Sequence, residues 1–325
     1  MICGEFDIIT RYFNRQKKNK YGVNIGIGDD CALVTIPKKN QLAITTDTLV
    51  AGIHFFDNIS PESLAYKSLA VNLSDLAAMG ANPVWVSLAL TLPKINEDWL
   101  ERFSSSLFEQ INYYKMQLIG GDTTLGPMSL TYTVHGLIPE GKSLKRLGAR
   151  DGDLIYVTGT LGDSAAGLAI LKSKLIVNDI KDRNWLIQRH LRPEPRISHG
   201  KALRNLASSA IDISDGLISN IRHILKINSC GAKIKLDFLP LSDALQRQTT
   251  SEQALNLALN GGEDYELCFT IPEINCDKLD YIIAHNKVNL HCIGNITKKS
   301  EEEDIQYFYD DRKILFNLID FNHFL

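Results

Sequence analysis

The chain has 325 residues, enough for two domains of ordinary size, each with its own hydrophobic core. Its composition is that of a globular protein, with 44% hydrophobic and 22% charged residues. The 35 basic and 38 acidic residues leave a net charge of −3, which gives no electrostatic case for nucleic acid or an anionic membrane as the main partner.

The cysteines and the N-terminal segment predict the cellular compartment. Six cysteines are scattered along the chain without a C-x-x-C pair, which favours a reducing environment over a disulfide framework or a zinc site. Glu5 and Asp7 stand where a signal peptide needs an apolar stretch, and no run approaches the roughly 20 apolar residues of a membrane span. We therefore expect a cytoplasmic protein.

Strand-like and helix-like segments alternate in the first half of the chain. Ser60 caps a helix that begins at Pro61 and stops at Gly80, and an apolar stripe at helical spacing marks a second helix. The predicted elements are a strand over 41–46 within the β-rich stretch 41–50, helices over 61–80 and 97–114, a short strand over 116–119, and a strand over 129–138.

A polar, basic and glycine-rich stretch over 139–153 is the expected connection between two domains. Beyond it the pattern restarts with strands over 153–159, 210–214 and 232–238 and helices from about 164, after 196, over 216–226 and over 251–259. The sequence therefore predicts a two-domain α/β or α+β protein, with domains over 1–140 and 150–325.

Acidic residues recur beside glycines and hydroxyl residues, at positions that we expect to be strand ends or adjoining turns. They are Asp29 and Asp30 in GIGDD, Asp47 in TTDT, Asp122 in GGDTT, Asp212 and Asp215 in DISDG, and Glu263 and Asp264 in GGED. Asp75 adds a carboxylate on the polar face of the first helix. One such acid is usually a turn or cap residue, but several at the edge where α/β proteins bind ligands indicate a site.

Carboxylates gathered at one edge repel one another unless a cation neutralises them. Mg²⁺ fits best, because it takes oxygen ligands and usually shares them with substrate phosphates. Asp29 and Asp30 cannot easily serve one site equally, since consecutive side chains in an extended loop diverge. The residues themselves do not decide which of the two is the ligand.

Residues 136–143, GLIPEGKS, fit the P-loop pattern, which would place Lys142 on nucleotide phosphates. The context argues against this interpretation, because Gly136 lies inside a predicted strand and Pro139 removes an amide from the supposed cradle. Only one turn of chain separates Ser143 from Gly148, so a helix to cap the phosphate is not expected.

The ordered series of motifs resembles the thiamine-monophosphate kinases. The series is GIGDD, TTDTLVAGIHF, NLSDLAAMGA, GGDTT, LGDSAAGLAI, HLRPEPR, DISDGL and GGEDYEL, and the match runs from about residue 4 to the final FNHF. Single pieces such as GGDTT are weak evidence, but their order is specific. The resemblance implies the fold of aminoimidazole ribonucleotide synthetase and selenophosphate synthetase, with an N-terminal sheet that pairs across a homodimer and an active site along the groove between the domains.

The resemblance also implies the site residues. Magnesium ions would be held by Asp30, Thr45, Thr46, Asp47, Asp75, Asp122, Asp212 and Asp215. ATP would contact Gly121, Asp122, Arg146 and Ser214, and the thiamine part of the substrate would contact His54, Glu263 and Phe321. Without the resemblance, Arg146 would be a solvated residue of the connection, Glu263 a turn acid and Phe321 a packing residue.

The implied reaction is ATP-dependent phosphorylation of thiamine monophosphate to thiamine diphosphate. No general base is assigned, because the accepting phosphate is largely ionised at neutral pH. The alternatives are a sibling enzyme of this fold with another acceptor, a non-catalytic nucleotide-binding regulator, and a metal-dependent phosphatase.

Overall fold

The structure is a computed structural model that describes residues 4–16, 18–279, 289–301 and 303–315. The chain divides into two compact units. The first contains the described residues up to Leu76 together with Ala81–Gly141, and the second contains Ala77–Gly80 and the described residues from Lys142 onward.

The first unit combines four helical segments and sheets of two and four strands among its described residues. Its helices are α1 (Glu5–Ile8), a π-helical turn (Ile9–Phe13), α2 (Pro61–Ala78, whose last two residues belong to the second unit) and α3 (Glu97–Tyr113). Its strands are β1 (Val23–Ile25), β2 (Leu33–Val34), β3 (Asn40–Val50), β4 (Asn82–Leu92), β5 (Gln117–Leu125) and β6 (Ser129–Pro139).

The four-stranded sheet of the first unit has the order β3-β6-β4-β5 and a different environment on each face. On one face Leu130, Tyr132 and Val134 of β6 are fully buried, and Leu76 of α2 packs against Gly136. The alternate residues of β6 and β3 point to the opposite face, where they are half-buried or exposed. Burial of one face against helices therefore fixes which side chains of β3 can meet α2.

The second unit is built on a seven-stranded sheet of the order β13-β12-β9-β11-β7-β10-β8, in which only the pairing of β12 with β9 is parallel. Its strands are β7 (Leu154–Thr158), β8 (Ser209–Asp212), β9 (Cys230–Lys235), β10 (Leu267–Ile271), β11 (Leu290–Lys298), β12 (Ile305–Tyr309) and β13 (Arg312–Ile314).

The helices of the second unit pack with the sheet around two apolar cores. They are α4 (Asp163–Leu171), α5 (Ile180–Leu191), α6 (Ile197–Ala202), α7 (Leu217–Asn228), α8 (Asp243–Gln248) and α9 (Ser251–Asn260), with 3₁₀ turns at Leu236–Phe238 and Glu273–Asn275. One core joins α7 to the strands, and the other lies among α4, α5, α8 and α9. This second core holds α4 and α5 together beside the site described below.

Several elements differ from the sequence-based expectation. The short strand expected over 116–119 continues as β5 to Leu125, and Asp47 lies inside β3, so the prediction that Asp47 and Asp122 follow strand ends is wrong. The backbone hydrogen bonds of β4 and β6 continue alongside these residues and keep them extended. Strand β4 itself was not expected, because Asn82 and Pro83 at its start are typical of a helix stop.

None of the helices among the described residues has the length and apolar character needed to cross a bilayer.

Candidate active site

Two carboxylates of the first unit face each other between β3 and α2. Asp47 and Thr45 lie on the helix-covered face of β3, and the Thr45 hydroxyl donates a 2.5 Å hydrogen bond to Oδ2 of Asp75. The Asn72 side chain accepts a hydrogen bond from the Asp47 amide at 3.1 Å. Burial, together with the negative charge of Asp75, raises the pKa of Asp47 to about 6. The pair is thus a half-buried site of concentrated negative charge.

A cavity of about 670 Å³ in the first unit brings a second group of expected residues together. Asp29 and Asp30, from the loop between β1 and β2, line it beside Gly121 and Asp122 of β5. The N-terminal helical segment supplies an apolar wall of Phe6, Ile9 and Phe13. Asp29 and Asp30 both line the cavity and both are exposed, so the structure leaves the choice between them open.

The neighbouring strand β4 leaves no room for a side chain at Gly121. Its φ is +149°, and a Cβ at this position would overlap the carbonyl oxygen of Leu88 in β4. Because Gly121 has no side chain, β5 can approach β4 closely here, and the pairing of the two strands continues through Asp122 to Leu125. Asp122 and Asp47 occupy opposite edge strands of the sheet, three strand spacings or about 14 Å apart measured along it.

Two other expected residues of the first unit lie apart from the Asp47–Asp75 pair. The Thr46 side chain points to the opposite face of β3, where its hydroxyl pairs with that of Thr133 at 3.1 Å. His54 lies in the loop after β3, and its Nδ1 accepts a 3.1 Å hydrogen bond from the Val50 amide. Because Nδ1 accepts this bond, the proton of the neutral imidazole of His54 is on Nε2.

The carboxylates fit a magnesium site supplied partly by other ligands. Within the ranges that the structure describes, no three His, Cys, Asp or Glu side chains form a cluster that would hold a metal ion by itself. Mg²⁺ usually binds one or two protein carboxylates and completes its coordination with water and substrate phosphates. Asp47 and Asp75 have the donor chemistry for this arrangement, and burial together with the charge of Asp75 raises the pKa of Asp47.

In the second unit, the loops after β8 and before β10 lie side by side. Asp212 ends β8 and is buried opposite Leu267, and the Ser214 carbonyl accepts a 2.7 Å hydrogen bond from the amide of Glu263. The Asp215 amide donates to Asn220 of α7 at 3.0 Å. Four expected residues, Asp212, Ser214, Asp215 and Glu263, are therefore brought together.

Three further residues that the sequence singled out lie outside these groups. Arg146 is exposed in the segment before β7, and its carbonyl oxygen accepts a hydrogen bond from Asn228. Phe321 lies outside the described residues. Lys142 donates to Asn205 at 2.8 Å, and no helix occurs over residues 140–162, all of which are described, so the P-loop interpretation has no structural basis.

Sequence reasoning assigned no role to a buried ionic network in the second unit. Glu266 is fully buried, and its carboxylate accepts hydrogen bonds from Arg189 (2.7 Å), from Nε and Nη2 of Arg196 (both 2.6 Å) and from Thr158 (2.5 Å). Burial opposes ionisation of Glu266, but the two guanidinium groups more than offset it and lower its pKa. The motif HLRPEPR contains Arg196 and directly follows Arg189, and GGEDYEL contains Glu266, so the sequence did carry a signal for this network.

The neighbouring Asp264 occupies the N-terminus of α4. Its carboxylate accepts hydrogen bonds from the amides of Gly162 (2.7 Å) and Ser164 (3.2 Å), and burial raises its pKa to about 8. An internal side chain thus takes the place that a phosphate occupies at other helix N-termini. The LGDS motif is therefore a structural anchor for the GGED loop.

Comparison with known proteins gives the family. Residues 28–138 match the family described as AIR synthase related protein, N-terminal domain, and residues 150–305 match the corresponding C-terminal domain. Thiamine-monophosphate kinase from Escherichia coli strain K12 is 58% identical over 324 residues, which cover 100% of this chain and 99% of the relative.

Solved structures agree with this match. The thiamine-monophosphate kinase of Stenotrophomonas maltophilia K279a is 39% identical, with a TM-score of 0.83 over 94% of this chain and 95% of that one. A structure described as AaThiL complexed with AMPPCP and TMP is 33% identical, with a TM-score of 0.74 over 89% of each chain. The chain belongs to the thiamine-monophosphate kinase family, within the AIR synthase related proteins.

Proposed function

We propose that this kinase transfers the γ-phosphoryl group of ATP directly to thiamine monophosphate, in line and with Mg²⁺, to give thiamine diphosphate. The observation that carries the proposal is the half-buried Asp47–Asp75 pair, in a chain that matches thiamine-monophosphate kinases from end to end. The AaThiL complex with AMPPCP and TMP supports direct transfer, since both reactants must then bind together.

The reaction brings two polyanions together, so its main requirement is control of charge and alignment. An oxygen of the monophosphate attacks the γ-phosphorus, and the bond from that phosphorus to the bridging oxygen of ADP breaks. Because the second pKa of a phosphate monoester is near ~6, the attacking oxygen is largely ionised at neutral pH and needs no general base.

The residues proposed to hold Mg²⁺ all offer oxygen donors, six of them as carboxylates and two as threonines. They are Asp30, Thr45, Thr46, Asp47, Asp75 and Asp122 in the first unit, and Asp212 and Asp215 in the second. Bound Mg²⁺ would neutralise part of the negative charge on the two sets of phosphates. The positions of the carboxylates would determine where Mg²⁺ binds and therefore which phosphates it neutralises.

The remaining expected residues bind the organic substrates in this proposal. Gly121, Asp122, Arg146 and Ser214 contact ATP, and His54, Glu263 and Phe321 contact the thiamine part. Glu263 suits this role because its carboxylate is partly exposed, with its side chain 30% accessible, and attracts the positively charged thiazolium ring. Nε2 of His54 can donate a hydrogen bond, because Nδ1 already accepts one from the backbone.

The proposal includes a homodimer and a location in the cytoplasm. The face of the first unit's sheet opposite α2 carries Ile44, which is 60% exposed, and a row of threonine side chains. A second copy of this face would cover Ile44, as the family resemblance implies. The charge and composition of the chain support neither nucleic acid nor a membrane as a partner.

The test combines ATP, Mg²⁺ and thiamine monophosphate with the purified chain and quantifies thiamine diphosphate. We expect one thiamine diphosphate for each ADP formed. A panel of other acceptors, followed by ADP release, identifies a sibling enzyme of the fold if another acceptor is preferred. Tight ATP binding without transfer would indicate a regulator, and free phosphate without an acceptor would indicate a phosphatase; either result would contradict the proposal.

A further inference from the structure

The loop that carries Glu263 has an unusual backbone. Glu263 and Tyr265 both adopt left-handed conformations, with φ of 66° and 51°, which residues other than glycine rarely adopt. Their amides donate to the carbonyl oxygens of Ser214 (2.7 Å) and Ile213 (2.9 Å). The backbone of Glu263 is therefore fixed by the loop that follows β8, whereas its partly exposed side chain has room for other rotamers.

A buried histidine faces the Glu263 carboxylate. Nδ1 of His190, near the end of α5, lies 3.4 Å from Oε2 of Glu263 and 3.1 Å from the hydroxyl oxygen of Ser164. An ionised carboxylate only accepts hydrogen bonds, so the contact is attractive when Nδ1 carries a proton. The Nδ1–H group then restricts the rotamers of Glu263.

The position of His190 is itself tightly constrained. Gly167 lies one turn after Ser164 on the same face of α4, and a Cβ there would overlap the carbonyl oxygen of Leu186 in α5. On the other side, the preceding residue Arg189 donates to the buried Glu266 at 2.7 Å. The imidazole is therefore held between α4 and the GGED loop, although the catalytic roles proposed above do not use it.

We propose that His190 is a positioning residue that aims the Glu263 carboxylate at the thiamine part of the substrate. This inference rests on the proposed function, in which Glu263 contacts thiamine monophosphate. His190 does not touch the substrate; it limits the orientations of a group that does. Its loss would weaken binding of thiamine monophosphate and leave binding of ATP unchanged, a separation that general destabilisation of the fold would not produce.

The test compares His190→Leu with His190→Asn. Asparagine keeps an N–H donor at the place of Nδ1, whereas leucine fills the space without a donor. We expect His190→Leu to raise KM for thiamine monophosphate about tenfold, with KM for ATP within about twofold of the wild-type value, and His190→Asn to recover most of the loss. His223→Leu, at an exposed position of α7, is the matched control and should leave both constants unchanged.

A double-mutant cycle with Glu263→Gln separates this inference from the proposed function. If Glu263→Gln raises KM for thiamine monophosphate and His190→Leu adds little in the double variant, the two residues act together as proposed. Additive effects, or equal changes in KM for ATP and thiamine monophosphate, would overturn the positioning role while the proposed function stands. No effect of Glu263→Gln would overturn both the Glu263 contact and this inference.

Folding of the variants is checked by their melting temperatures. If His190→Leu does not fold, His190→Gln replaces it, because its amide reaches the place of Nε2 instead of Nδ1. The expected result is then a raised KM for thiamine monophosphate in His190→Gln and a near wild-type value in His190→Asn. Equal values in the two variants would contradict the proposal.

Discussion

Individual carboxylates of this chain have different roles because their surroundings differ. Asp47 and Asp75 lie close together, and burial together with the negative charge of Asp75 raises the pKa of Asp47. Glu266, although more deeply buried, has two arginines and a lowered pKa. The first arrangement is suited to a cation from solution, and the second is satisfied by the chain itself.

Asp47→Asn should stabilise the metal-free protein and weaken its response to Mg²⁺. Removal of one of two repelling charges is expected to raise the free energy of unfolding at pH 7.5 by about 1 kcal/mol, or a few degrees in melting temperature. The Mg²⁺-induced rise in melting temperature should shrink, because a ligand is lost. Asp57→Asn, in an exposed loop, is the control. A Mg²⁺ response in Asp47→Asn equal to that of the wild type would contradict the assignment.

Asp264 should make the protein less stable as the pH rises. Its folded-state pKa of about 8 exceeds the unfolded value of about 3.9, so its stabilising contribution is complete below pH 4 and is lost as the pH rises through about 8. The slope from one such group is at most about 1.4 kcal/mol per pH unit. In urea unfolding between pH 5 and 9, the stability of the wild type should fall relative to that of Asp264→Asn up to about pH 8, and the difference should then stay constant. Parallel curves would show that Asp264 is ionised throughout.

At the scale of single elements, the pairing of β4 with β5 depends on one glycine. Gly121→Ala would place a methyl group against the Leu88 carbonyl oxygen at a φ of +149°, and we expect it to cost about 2–4 kcal/mol of stability. Gly120→Ala is the matched control, because nothing lies within 4 Å of its Cβ position. Urea denaturation measures both. Equal stabilities for the two variants would mean that β5 can shift away from β4.

The elements that the sequence predicted well are those specified by local signals. Helix α2 begins at Pro61, directly after Ser60, and α3 has an apolar stripe that includes the buried Leu100, Phe103 and Leu107. Strand β4 and the full length of β5 depend on partners far away in sequence, and the Asn82–Pro83 pair concealed the start of β4. Local patterns do not report such pairings.

In the candidate site, too, local sequence signals were predictive and contacts between distant residues were not. Repeated acids beside glycines predicted a site that binds a cation, and the structure places Asp47 near Asp75 and puts Asp29, Asp30 and Asp122 around one cavity. The salt bridges of Glu266 join residues about 70 positions apart, and the contact of His190 with Glu263 joins two helix–loop segments. No spacing rule connects such residues, so only the fold reveals them.

At the scale of the whole molecule, the proposed dimer gives the exposed sheet face a role. Ile44→Glu places a charge on this face, in the edge strand β3, where burial against a second copy would be costly, and we expect the variant to be monomeric. Ile176→Glu, at a position that is 82% exposed in the second unit, should leave the dimer intact. Sedimentation or light scattering gives the molar mass. A dimeric Ile44→Glu variant would exclude this face as the interface.

The most direct test of the account is the Mg²⁺ dependence of thiamine diphosphate formation in carboxylate variants. We expect Asp47→Asn, Asp75→Asn and Asp122→Asn each to lower kcat/KM at least about 100-fold at saturating Mg²⁺ while remaining folded, and Asp151→Asn, an exposed control, to retain wild-type activity. Full activity in two or more of the three site variants, or equal activity of the wild type without divalent ions, would contradict it.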